Sequence, residues 1–448
     1  MKNKIVLIGA GSLQFGTDML GDIFQSQVLA GSEVVLHDIN PDALQSIEKL
    51  GSGFIKENKL PYTLSATTDR KEALQGATFC MISIEVGDRF KLWEQDWHIP
   101  QQYGIQQVFG ENGGPGGLFH SLRITPPILE ICGDILAICP EATVFNFSNP
   151  MSRICTTVHR KYPDLKFIGL CHEIESLGQH LPLILETPFE NLQIRAGGLN
   201  HFSVVVEAKY VDSGKNAYPD LLAKAPPYFE NLPNLRNVIR ELKSAAAGST
   251  PGAEPAFRAG AGEWADRKLF QVFLEQYGCF PITTDSHLGE YVSWASDVVD
   301  HKGILDFYAF YLQWLEKDPQ IELKLHERVV PIMEGILTDA GYEESAVNLP
   351  NQGLIEKLPS FMVVEVPALV DKNGVQGVAL EDMPKGFSGL LYNQVGVHDL
   401  LAEAIIQQSR DLAFQALLAD PVVNKYERAL QMFDYMLEIQ NEYLGYLK

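Results

Sequence analysis

Cys171 and His201 are the residues of this chain best suited to hold a metal ion. Each stands near glycine at the end of an apolar run that reads as a strand, in Gly169-Leu170-Cys171-His172-Glu173 and in Gly198-Leu199-Asn200-His201. Thiolate and imidazole suit a divalent first-row ion, and two protein ligands leave positions open for water and substrate oxygens. Taken singly, a cysteine or histidine at a strand end is more often part of the core. A second group lies between Pro281 and Tyr291, where Asp285, His287, Glu290 and Tyr291 offer acid and base functions. The plainer reading there is a solvated polar loop. Glu111, Asp88, Arg89, His172 and Glu173 add ionisable side chains at or near strand ends.

The elements that must position these groups begin with Ile5–Ile8, an apolar run entering Gly9-Ala10-Gly11-Ser12. A helical pattern follows, and then Glu33-Val34-Val35-Leu36-His37 ends in Asp38. This is the strand–helix–strand layout of a dinucleotide site. Glycines let the backbone approach a pyrophosphate, the helix N-terminus offers N–H groups, and the acid accepts from a ribose hydroxyl. The usual third glycine is missing, with Gln14 in its place and Gly16 two residues on; a tight turn without a ligand is the alternative. Gly9, Gly11, Ser12, Asp38 and Glu85 are the expected cofactor contacts, and Asp38 rather than a basic residue favours NAD over NADP.

A helix is expected over 40–57 and strands over 62–65, 79–84 and 144–148, the last breaking at Asn149-Pro150. Five glycines and a proline between Gly110 and Gly117 mark a loop, with a helix over 122–136 behind it. Strands alternating with helices predict an α/β fold, a Rossmann-type doubly wound parallel sheet through about residue 200. Gly9, Gly87, Asn149 and Cys171 then fall at strand C-termini, where such sheets bind ligands. Beyond it comes a strand over 202–208 and a polar stretch over 211–262, whose part 244–262 is expected to be the least ordered. Helical patterns cover 264–277, 298–317, 320–340 and 397 to the end. The expected division is a nucleotide-binding domain over 1–200 and a mostly helical α+β domain over 201–448.

A formal net charge of −22 argues against nucleic acid or an anionic membrane as partner, because phosphate binding needs clustered Lys and Arg. Apolar residues at 46% and charged ones at 21% are an ordinary globular profile. No segment approaches the roughly 20 apolar residues that a spanning helix needs. The six cysteines show no Cys-x-x-Cys spacing and read as reduced thiols. These features predict a cytoplasmic protein.

Together the motifs resemble glycoside hydrolase family 4, the NAD- and manganese-dependent glycosidases. The resemblance spans nearly the whole chain. It rests on Gly9-Ala10-Gly11-Ser12, on the loop Glu111 to Gly117, and on Asn149-Pro150-Met151, Cys171-His172-Glu173 and Gly198-Leu199-Asn200-His201. Asn351-Gln352-Gly353-Leu354-Ile355 and Val364-Glu365-Val366-Pro367-Ala368 add to it. It implies a lactate/malate dehydrogenase-like fold, NAD, and Mn2+ or another divalent ion on Cys171 and His201. It also implies a mechanism unlike that of two-carboxylate glycosidases. NAD takes a hydride from sugar C3, the metal polarises the ketone, a base removes the C2 proton, and the aglycone leaves C1. Water then adds and the hydride returns.

For the base the resemblance favours Asp285, preceded by Tyr277-Gly278-Cys279-Phe280-Pro281-Ile282, with Tyr291 as runner-up. His172, Glu173 and Glu111 remain for acid work or hydroxyl contacts, and Asn149, Arg89, Glu173 and His287 for the substrate. Members acting on 6-phospho sugars carry Asn or Asp after the motif Cys, where this chain has His172. The implied substrates are therefore unphosphorylated α-glycosides: α-galacturonides, α-glucosides or α-galactosides, with the first two favoured. Arg89, Arg123 and Arg153 are the cations available to a uronate. The family also implies a homodimer or homotetramer. The alternative is a metal-free NAD-dependent 2-hydroxy-acid dehydrogenase.

Overall fold

The computed structural model describes residues 3–171, 173–231, 267–314 and 320–448. The first half builds a parallel sheet from β1 (Lys4–Ile8), β2 (Glu33–His37), β3 (Thr63–Thr67), β4 (Phe79–Ile82), β5 (Thr143–Asn146) and β6 (Phe167–Gly169), in the spatial order 3-2-1-4-5-6. That is the dinucleotide-binding order, whose connection reverses between β1 and β4. Its helices are α1 (Leu13–Gln25), α2 (Pro41–Asn58), α3 (Arg70–Leu74), α4 (Arg89–Gln102), α5 (Gly114–Ile138) and α6 (Met151–Lys161).

Alternation along the strands explains why helices cover both faces. Val6 and Ile8 pack with Leu122, Ile128 and Ile135 of α5. Ile5 and Leu7 turn the other way, onto Met19, Leu20 and Ile23 of α1. Local chemistry starts the helices where the sequence asks. Asn40 caps α2 by accepting from the N–H groups of Asp42 and Ala43, with Pro41 in the first turn.

The second half continues the same sheet. Strands β7 (Leu192–Leu199), β8 (Phe202–Tyr210), β9 (Phe280–Pro281), β10 (Tyr342–Pro350) and β11 (Val363–Asp371) extend it in the order β6-β10-β11-β7-β8-β9, all antiparallel, and β12 (Gly374–Gly377) pairs with β11. The turn of the β7–β8 hairpin holds residues 200 and 201, the expected meeting point of the two domains.

Several expected helices are redrawn. The one expected over 320–340 is confined to Val329–Thr338, and the C-terminal one divides into Val395–Gln407, Arg410–Ala419, Tyr426–Ile439 and Asn441–Leu444. Of the helix expected over 264–277, Lys268–Val272 is α-helical and Phe273–Tyr277 π-helical. The segment 244–262, expected to be least ordered, lies outside the described residues. Part of the glycine-rich loop is helix, because α5 begins at Gly114. Its glycines serve close packing: a Cβ on Gly117 would stand 2.3 Å from the carbonyl carbon of Asn112.

Candidate active site

Sheet topology brings the two strongest ligand candidates together. Cys171 follows β6, and His201 lies in the β7–β8 turn. Between these strands run β10 and β11, Asn348 pairing with Gly169 and Glu365 with Gly198. Cys171 Sγ and His201 Nε2 stand 3.3 Å apart. A thiol sulfur and an imidazole nitrogen this close could both reach one divalent ion. The pair therefore fits one metal ion. Burial first, then Glu173 and Glu365, push the Cys171 thiol well above its ordinary range, so a cation is what would draw off its proton. Among the described residues no group of three or more His, Cys, Asp or Glu has metal-holding geometry.

Ionisable side chains continue outward from the pair. The His287 ring stacks on His201 with centroids 4.8 Å apart and planes 21° apart. His287 Nε2 is 3.9 Å from Glu173 Oε1, which accepts from Thr283 Oγ1 at 2.9 Å. On its other side Nδ1 lies 3.5 Å from Glu290 Oε2 and 3.3 Å from Asn112 Nδ2. Burial opposes a charge on His287, but the Glu290 contact and the carboxylates of Glu173 and Glu111 outweigh it and push its pKa up to about 9. Glu111 lies 3.5 Å from Arg89, and Arg89 lies 3.3 Å from Glu85. His120 Nε2 stands 3.6 Å from Glu85 and is raised in pKa by it despite burial. The Arg123–Asp96 ion pair completes the lining of this small polar pocket. Asn149 Oδ1 is buried with no hydrogen-bond partner among the described residues, so it is suited to receive a ligand donor.

The two candidate bases, Asp285 and Tyr291, sit in different surroundings. Asp285 is wholly buried, and its two carboxylate oxygens accept from Leu269 N and Phe270 N, both at 2.9 Å. It anchors the start of the helix Lys268–Val272, and these bonds oppose its service as a proton acceptor. Tyr291 stacks on Phe202 with centroids 4.9 Å apart, and its hydroxyl donates to the carbonyl of Asn200, next to His201, at 3.3 Å. His172 lies outside the described residues.

At the nucleotide end Gly9 takes the left-handed φ of 88°, and a Cβ there would meet Ser83 O at 1.9 Å. Asp38 accepts from Gly11 N at 2.8 Å and from Asn40 N at 2.8 Å, and a carboxylate has capacity left for ribose hydroxyls. Gly16 does the packing work of the missing glycine, since a Cβ there would lie 2.5 Å from Ala10 O. The exposed Ser12 makes no side-chain bond to the first turn of α1, and that turn holds no acid. These residues fit a pyrophosphate. Glu85 stands just past β4 and is tied to His120 and Arg89.

Sequence reasoning gave no role to Glu365. This buried carboxylate accepts from Asn200 Nδ2 at 2.7 Å and Ser203 Oγ at 3.0 Å, behind the Cys171–His201 pair. An acid inside the apolar run Val363–Val366 was the signal.

The Family 4 glycosyl hydrolase model matches residues 4–186, and the model for the family's C-terminal domain matches 196–423. The chain belongs to glycosyl hydrolase family 4. It is 59% identical over its full length to an Erwinia rhapontici protein, itself fully covered, named alpha-glucosidase. It is 29% identical to an alpha-galacturonidase of Thermoanaerobacterium saccharolyticum, over 98% of this chain and 96% of that one. A Thermotoga maritima 6-phospho-beta-glucosidase, solved with manganese, NAD+ and glucose-6-phosphate, matches with TM-score 0.73 at 21% identity, covering 98% of this chain and 99% of that one. A malate dehydrogenase of Cryptosporidium parvum shares the fold at TM-score 0.53 and 14% identity, covering 91% and 100%. The dehydrogenase alternative thus keeps its fold but not its chemistry: this chain is a glycoside hydrolase.

Proposed function

We propose that this family 4 enzyme hydrolyses unphosphorylated α-glycosides, with α-glucosides preferred over α-galacturonides. The observation that carries the reading is the pairing of Cys171 and His201, 3.3 Å apart, on a sheet of dinucleotide-binding order. Relatives solved with NAD and manganese support the cofactor assignment. The preference for a neutral sugar follows from charge. Arg89 faces Glu85 and Glu111 and Arg123 faces Asp96, so two of the three cations considered for a uronate already meet carboxylates, while Arg153 reaches Asp420 through one nitrogen only, at 3.5 Å. The relative at 59% identity, named alpha-glucosidase, points the same way.

When bound, NAD supplies a hydride acceptor and the divalent ion a Lewis acid. Cys171 and His201 would hold the ion; the first turn of α1, Asp38 and Glu85 would hold the nucleotide. Asn149 and Glu173 contact sugar hydroxyls, and His287 contacts a substrate oxygen. Tyr291 takes the C2 proton in place of Asp285. Glu111 is kept for acid work or a hydroxyl contact, as is His172 on the strength of the sequence. We place the enzyme in the cytoplasm as a homodimer or homotetramer. No helix among the described residues is long and apolar enough to cross a membrane.

The test is a panel of aryl α-glucoside, α-galactoside, α-glucuronide and α-galacturonide, with 6-phosphates as controls, assayed with Mn2+, NAD+ and a thiol reductant. The α-glucoside should be turned over fastest, with solvent deuterium entering at C2. Full activity after removal of metal and nucleotide would sink the mechanism, and a preference for the galacturonide would sink the charge argument.

A further inference from the structure

We infer that Glu290 is a positioning residue, joining the glycine-rich loop to His287 and so holding that imidazole over the Cys171–His201 pair. Glu290 is fully buried. Its Oε1 accepts from Glu111 N at 2.6 Å and from Asn112 N at 3.0 Å, while Oε2 stands 3.5 Å from His287 Nδ1. The loop is pressed onto it: a Cβ on Gly113 would lie 2.7 Å from both the Cβ and the carbonyl oxygen of Glu290. Asn112, held by the same carboxylate, packs its side-chain amide against the same ring nitrogen, Nδ2 at 3.3 Å.

One face of His287 is thus defined by two groups that depend on Glu290. The ring lies flat on His201, and Nε2 is left toward Glu173 and the open side of the pair. A buried carboxylate is costly unless its oxygens are bonded. Here the bonds tie together two chain segments 178–179 residues apart, each carrying a group assigned to the site. Glutamine at 290 can still accept from the loop, but it turns an amide N–H2 toward Nδ1 or gives up a loop bond. Aspartate falls short by one methylene and cannot reach both partners.

The inference rests on the proposed metal pair, and the test separates the two. Wild type, Glu290→Gln, His287→Asn and the double variant are assayed with saturating Mn2+ and NAD+. The readouts are kcat and KM on an aryl α-glucoside and the Mn2+ dissociation constant from the free-ion EPR signal. Glu290→Gln should lower kcat about 30-fold or more, with KM and Mn2+ affinity within about threefold of wild type. The double variant should be no slower than His287→Asn, within about threefold, because Glu290 acts through His287. Glu290→Asp runs in the same cycle and carries the test if the glutamine variant does not fold. Retention of kcat within about threefold in either variant, or multiplication of the two single losses in the double, overturns the proposal. Normal turnover by a wild type that binds no Mn2+ overturns the metal pair itself.

Discussion

Each oxygen of Asp285 accepts a backbone N–H, from Leu269 or Phe270, whereas the Tyr291 hydroxyl has one long bond to a carbonyl beside the metal pair. The two side chains should therefore fail differently. Asp285→Ala leaves a helix start without its acceptor and should destabilise the fold by about 1–3 kcal/mol, read as a lower Tm. Tyr291→Phe removes only the hydroxyl. Its Tm should hardly move, while hydrolysis and C2 exchange fall together by about 10²–10⁴-fold. Persistence of C2 exchange in Tyr291→Phe would place the base elsewhere. Sequence could single out Cys171 and His201, because residue type and position at strand ends were both visible. It could not show that Asp285 is committed, since the helix it anchors meets it only in three dimensions. Nor could it show that Glu365 gathers Asn200 and Ser203, which depends on β11 lying beside β7.

Among the elements, some glycines are fixed by a close neighbour, and others stand in open space with an ordinary helical backbone. A Cβ at Gly117, in the first turn of α5, meets the carbonyl carbon and oxygen of Asn112 at 2.3 and 2.4 Å. Gly117→Ala must shift the loop that carries Glu111, so activity and Tm should both drop. Gly53 lies exposed in α2, and a methyl group there would have nothing within 4 Å of it. Gly53→Ala should raise stability by roughly 0.5–1 kcal/mol without altering kcat. Equal effects at the two sites would refute the packing argument. The same kind of contact explains where helical patterning failed. The stretch before Val329 reads as helix, yet the N–H groups of His326 and Glu327 both donate to Asp22 of α1, at 2.8 Å. A Cβ on Gly21 would meet Glu322 O at 2.1 Å. Tertiary bonds to a helix some 300 residues earlier outcompete local helix formation here. Strands β1, β2, β4 and β5 were legible because their apolar runs are continuous and glycine or Asn-Pro ends them.

For the whole molecule, one sheet makes the two matched family segments a single folding problem, and the chain's end packs back on its first half. The helix Val395–Gln407 brings His398 near Arg153 of α6, which faces Asp420 at 3.5 Å. His398 is buried, and burial first, then Arg153, drive its pKa down to about 3. Unfolded, it titrates near 6.5. Between those values the unfolded chain binds a proton that the folded chain refuses, so stability must fall as pH drops below about 6.5. The slope from this residue is about 1.4 kcal/mol per pH unit, ending only near the folded value. His159 and His180, both lowered to about 4 by burial, act in the same direction. Glu365, raised by burial, acts in the opposite one. The contribution of His398 is therefore read as a difference. Tm measured from pH 7 to pH 4.5 should decline less steeply in His398→Gln than in wild type, and the two curves should converge toward acid. Parallel curves would show that His398 is protonated in the folded enzyme and that this joint carries a charge the fold has found a way to hold.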